Sequence, residues 1–78
     1  MNTTEHLTSE MLRATTIALR VALGHVEGVY IETARVIMRD ILMHDDYRKL
    51  SGSQRALFAD AGTAIEEAAA AAKGLKRL

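Results

Sequence analysis

Apolar residues recur at helical spacing along almost the whole chain, and the side of the helix they mark changes at one place, the segment LGHVEGVY from Leu23 to Tyr30. With each residue about 100° from the last, Met11, Leu12, Ala14, Ile17, Ala18, Leu19, Val21, Ala22, Leu23 and Val26 cover more than half of one helix. Only Arg13, Thr16 and Arg20 interrupt them as a polar strip, so this helix is expected to be contacted on more than one side. Beyond Gly28, Tyr30, Ile31, Ala34, Ile37, Met38, Ile41 and Leu42 share a face that would continue that polar strip if one straight helix ran through. One straight helix cannot turn both faces toward the same core. The glycines are therefore expected to end a first helix, with Gly24 at or just past its C-terminus, the alternative being one continuous helix that feeds two different partners.

A second break falls in KLSGSQRAL, where Ser51 and Gln54 have the spacing of a capping box. After it, Leu57, Phe58, Ala61, Ala64, Ile65, Ala68, Ala72 and Leu75 line one face, and Arg55, Asp60, Thr63, Glu66, Glu67 and Lys73 the other. Gly74 is the expected stop, with Lys73, Lys76 and Arg77 complementing the negative end of the helix dipole. Proline is absent and alanine occurs thirteen times, a composition that favours helix throughout. The expected fold is all-α: a single domain over residues 1–78, with helices at about 9–24, 28–47 and 53–73, a short lead-in over 1–8, and the second helix central. The first helix is capped by Thr8 or Ser9 in this scheme. The row Ala14, Ala18 and Ala22 suits close helix packing.

At 78 residues the chain sits near the lower limit for folding alone, where only roughly 60% of the unfolded surface is buried. Without cysteine it has no disulfide or thiolate site, which fits a reducing, cytoplasmic compartment. Ten basic residues balance ten acidic ones, so no overall field draws the protein to nucleic acid or to anionic membrane. The N-terminal MNTTEHLTSE lacks the basic and apolar regions of a secretory signal, and Arg20 and Glu27 interrupt apolar stretches well short of a membrane span.

Few residues suggest chemistry. His25 and Glu27 lie together at the helix break, but a catalytic pair needs an orienting third group and a pocket. Asp40 and His44 share a helical face, with Asp45 and Asp46 following; carboxylate and imidazole can ligate zinc or a non-haem metal. The paired Glu-x-x-His motifs of helical di-iron proteins are missing, and no metal or other cofactor is expected. Asp45 and Asp46 sit awkwardly at a helix C-terminus, where the dipole favours cations. A helix-turn-helix over RALFADAGTAIEEAA fails on spacing, since Ala59 precedes Gly62 by three residues rather than four, and its reading helix would carry Glu66 and Glu67.

The pattern that points furthest is a second row on helix two. Val29, Val36, Met43 and Leu50 recur every seven residues away from the main apolar face, with Tyr47 beside the last two and Glu32, Arg35, Arg39 and Asp40 flanking. Heptad-spaced apolar residues edged by charge are what one helix presents to another. The expected partner-binding set is therefore Val29, Glu32, Val36, Arg39, Asp40, Met43, Tyr47 and Leu50, serving a homodimer or a foreign protein. The expected function is non-enzymatic: a small regulator, adaptor or inhibitor acting by steric occlusion, as anti-activators, secretion chaperones and phage-encoded inhibitors do. The alternatives are a dimeric DNA-binding regulator using Arg13, Arg20, Arg48, Lys49 and Arg55, and a metal-dependent helical enzyme around Asp40, His44 and Asp46.

Overall fold

The described residues form three α-helices and one short 3₁₀ turn: α1 (Thr3–Ala22), α2 (Tyr30–Met43), the turn at Asp45–Lys49, and α3 (Gly52–Lys76). A computed structural model describes the backbone of residues 3–76 and the side chains of 4–72, and no strand occurs among them. The molecule is elongated, 43 × 21 × 17 Å. Among the described residues no helix is long and apolar enough to cross a membrane.

α1 starts well before Thr8 or Ser9, so the expected lead-in over 1–8 is helix from Thr3; Met1 and Asn2 lie outside the described residues. Leu7 is the reason. It is 1% exposed and extends the buried row Met11, Ala14, Ala18 and Val21 by one turn, giving a continuous core stripe that ordered helix alone can supply. At the other end the break at Gly24 occurs as expected. Gly24 has φ +78°, its N–H donates to Val21 O at 3.0 Å, and the His25 N–H donates to Arg20 O at 2.9 Å. These two bonds are the Schellman pattern, which satisfies carbonyls the helix would otherwise leave open.

α2 begins at Tyr30 rather than Gly28. Tyr30, Ile31 and Glu32 donate to the carbonyls of Glu27, Gly28 and Val29 at 3.1–3.2 Å, a tighter three-residue winding that leads into the helix. It ends at Met43 instead of Tyr47, because His44 turns to extended backbone. The His44 Nδ1 then accepts the Asp46 N–H at 3.1 Å and caps the 3₁₀ turn. Asp45 and Asp46 thus occupy the first turn of a new short helix, where negative charge is favoured, and the conflict expected at the end of α2 disappears. Lys49 Nζ reaches Asp46 at 2.9 Å, and that bond holds its ammonium above the ordinary pKa.

The capping box at the start of α3 is present in full. Ser51 N–H donates to Gln54 Oε1 at 2.9 Å, and Gln54 N–H donates to Ser51 Oγ at 3.2 Å. α3 does not stop at Gly74; it continues through it to Lys76, an interior glycine lowering helix stability by only about 1 kcal/mol in an alanine-rich run. The side chains of Lys73, Leu75, Lys76 and Arg77, expected near that terminus, lie outside the described residues.

The central helix is α1, not α2. α1 packs along both neighbours, whereas α2 and α3 meet each other least. Ala14 and Ala18 are buried and Ala22 is half-buried against the core, so the alanine row lies where both outer helices approach α1. Ile31, Ala34, Ile37, Met38 and Ile41 face inward from α2, and Phe58, Ile65, Ala68 and Ala69 from α3. Tyr30, Leu42, Leu57 and Ala64, expected on core faces, are exposed, and Ala69 takes a core place that the pattern did not assign it. Two helices that meet each other so little need narrower apolar faces than two in full contact.

Two glycines give opposite expectations. Gly24→Ala forces a side chain into left-handed backbone and should lower stability by about 1 kcal/mol or more. Gly62→Ala, inside α3 with nothing within 4 Å of an added Cβ, should raise it by about 0.5–1 kcal/mol. Ser51→Ala should cost about 1 kcal/mol through the lost cap. Urea unfolding of the three variants checks all of them; shifts of the same sign for the two glycines would contradict the assigned backbone.

Candidate protein-binding groove

Because α2 and α3 pack against α1 more than against each other, an open crevice runs between them with a volume of about 800 Å³. Met38, Phe58 and Ile65, all buried, form its base. Leu42 and Met43 stand exposed along the α2 wall, and Ala59, Gly62 and Thr63 line the α3 wall. Tyr47 closes one end against Phe58, the ring centroids 5.8 Å apart and tilted by 32°. At the other end Arg35 spans the helices. Its Nε donates to Glu66 Oε1 at 3.0 Å, its Nη2 to Glu66 Oε2 at 2.9 Å, and its Nη1 to Glu32. These carboxylates, Glu66 first, keep the guanidinium's pKa above its ordinary value. Past this bridge the crevice continues as a smaller hollow of about 230 Å³ lined by Gly28, Val29, Ile31, Glu32, Arg35, Ala69 and Ala72.

The residues expected to bind a partner fall into two groups. Val29, Val36 and Met43 are 63, 45 and 76% exposed and form a row on the outer side of α2, with Glu32, Arg39 and Asp40 exposed beside them. Leu50 leaves the set. It is 5% exposed and belongs to the core, because α2 ends at Met43 and the 3₁₀ turn carries Leu50 inward. Tyr47 is half-buried and serves as the end wall of the crevice. α1 also turns an outward row to solvent, Leu12, Leu19 and Leu23.

The groove itself was not legible as a site. Its α3 wall belongs to the polar side of an amphipathic helix, and only the interior Gly62 stands out there. A glycine in the middle of a 25-residue helix, at a point where an added Cβ meets nothing, is the signal that could have drawn attention to it.

The other candidate chemistry is spread out. His25 and Glu27 are exposed in the loop after α1. His6, Glu10, Arg13, Asp40 and His44 border a hollow of about 190 Å³ between α1 and α2, where Arg13 pairs with Glu10 at 2.9 Å. Among the described residues no three His, Asp or Glu side chains converge to hold a metal ion, and His44 Nδ1 is engaged by the Asp46 N–H while Asp46 pairs with Lys49. Of the basic residues considered for DNA, Arg13 and Lys49 are likewise paired with carboxylates, and the set is divided among α1, the 3₁₀ turn and α3. α3 runs unbroken through Gly62, so the helix-turn-helix geometry is not formed there.

Base and wall of the groove should separate in unfolding experiments. Ile65→Ala, at a 1% exposed position, should cost about 2–5 kcal/mol, a large part of the stability of so small a chain. Leu42→Ala, at a 49% exposed position, should cost about 1 kcal/mol or less. Equal losses would mean that the crevice is filled rather than open. Comparison with family models, with curated proteins and with solved structures finds no match to this chain.

Proposed function

We propose that this is a non-enzymatic interaction protein, a small regulator, adaptor or inhibitor, that receives an apolar helix of another protein in the α2–α3 groove and acts by occlusion. Grooves of this kind take anchors spaced i, i+3 or i+4, and i+7 from an amphipathic helix. The groove wall covers residues 35–43 of α2, about 12 Å of helix, which matches two turns of such a ligand. Phe58, Met38 and Ile65 offer the apolar base, Met being well suited to adaptable contact. Arg39, exposed at the rim, supplies orientation through a carboxylate on the partner.

The observation that carries this reading is Gly62. The helix would be more stable with alanine there, and the space beyond it is open, yet any side chain would project into the groove. Its effect is to leave room for an incoming side chain.

A photocrosslinker at the exposed Thr63 on the groove rim should trap a protein from cell extract, and Gly62→Leu should abolish that product while unfolding at or above the wild-type midpoint. Crosslinking unaffected by Gly62→Leu would remove the groove from the proposal.

A further inference from the structure

We infer that the outer face of α2 is a self-association surface that pairs two copies of this chain in antiparallel fashion, with Val36 on the two-fold axis. Val29, Val36 and Met43 recur every seven residues and point away from the core, exposed by 63, 45 and 76%. At about 100° per residue, Glu32 and Arg39 fall on one flank of this row, within about 20° of each other, and Thr33 and Asp40 fall on the other. A two-fold axis perpendicular to the helix inverts the order along it but keeps each flank facing its own copy.

The consequence is charge complementarity. With a rise of 1.5 Å per residue, Glu32 lies about 6 Å before Val36 and Arg39 about 4.5 Å beyond it. The two-fold therefore sets Glu32 of each copy within about 1.5 Å, along the axis, of Arg39 of the other. Thr33 meets Asp40 in the same way on the far flank, and no like charges are opposed. The apolar layers also balance: Val29 meets Met43 at both ends, around a central Val36 pair. Antiparallel helices further place opposite dipole ends together, which a parallel pair would not.

Groups on the surface are available for this pairing. Arg35 donates to one oxygen of Glu32 and is itself anchored by Glu66, and the Glu32 side chain remains 61% exposed. Val29 to Met43 spans about 21 Å of helix. A single helical face of that length buries less than the roughly 1,200 Å² of a standard interface, so the dimer is reversible and dissociates on dilution. This surface shares Arg39 and Met43 with the rim of the groove and Val29 and Glu32 with the smaller hollow beyond Arg35, while Val36 lies outside both.

Sedimentation equilibrium of the full chain from roughly 1 µM to 1 mM tests it, a range that covers affinities of a weak dimer. The wild type should pass from monomer to dimer across the series. Val36→Glu, which opposes two carboxylates at the axis, should stay monomeric with unchanged helicity by circular dichroism, since Val36 lies outside the core. Glu32→Arg and Arg39→Glu should each weaken association by roughly fivefold or more through two like-charge contacts. The double variant E32R/R39E should recover to within about threefold of wild type, the pairs being restored in reverse. A wild type monomeric throughout overturns the inference, as does a Val36→Glu variant that still dimerises. A double variant no better than the single ones overturns it too. Val36 lines neither the groove nor the smaller hollow, so the Val36→Glu outcome is distinguishable from the Gly62→Leu result.

Discussion

The smallness of the α1 face on which both other helices rest sets the rest of the architecture. Ala14 and Ala18 are buried with nothing beyond Cβ, and Leu7, Met11 and Val21 complete the stripe around them. Alanine removes little apolar area from water, so what it provides is proximity: backbones come close, and the larger residues of the partner helices fill the gap. α2 answers with Ile31, Ile37 and Ile41, and α3 with Phe58 and Ile65. The bulk that α1 lacks therefore sits on the outer helices. Those helices are drawn to α1 more than to each other, and the crevice between them follows from that division of volume.

Local polar devices fix three of the junctions between helical elements. The left-handed Gly24 closes α1, the His44 ring nitrogen starts the 3₁₀ turn, and the reciprocal Ser51–Gln54 bonds start α3. No buried side-chain nitrogen or oxygen among the described residues is left without a hydrogen bond. The core itself contains no buried polar residue among those described, so specificity of the fold comes from these ends and from side-chain volume. The Arg35–Glu66–Glu32 cluster adds a polar bridge from α2 to α3 across the crevice.

The parts of the fold visible in the sequence were those written into local residue chemistry. Three helices, the break at Gly24 and the capping box at Ser51 each depend on a few neighbouring residues and on a periodicity. What could not be read was three-dimensional closure. Leu7 reads as part of a polar lead-in until α1 is seen to need it in the core, and Leu50 continues a heptad until His44 ends the helix that would have carried it. The sequence points to α2 as the central helix because it carries two apolar rows, whereas α1 holds that place through a narrow stripe of Leu7, Met11, Ala14, Ala18 and Val21. The outer row on α2 was legible because it lies on one helix, and the groove was not because it needs two.

A hub of this kind also changes how the molecule comes apart. With α2 and α3 each held mainly by α1 and only lightly by one another, the loss of one interface leaves most of the other intact. That arrangement predicts two separable sub-global openings, one lifting α3 about the Ser51 junction and one lifting the segment from Gly24 to Leu50. Amide protons of α2 and α3 would then exchange with distinct free energies. A chain too small for two domains would in this way acquire two cooperative units, because its shared helix meets both neighbours across a narrow stripe centred on Ala14 and Ala18.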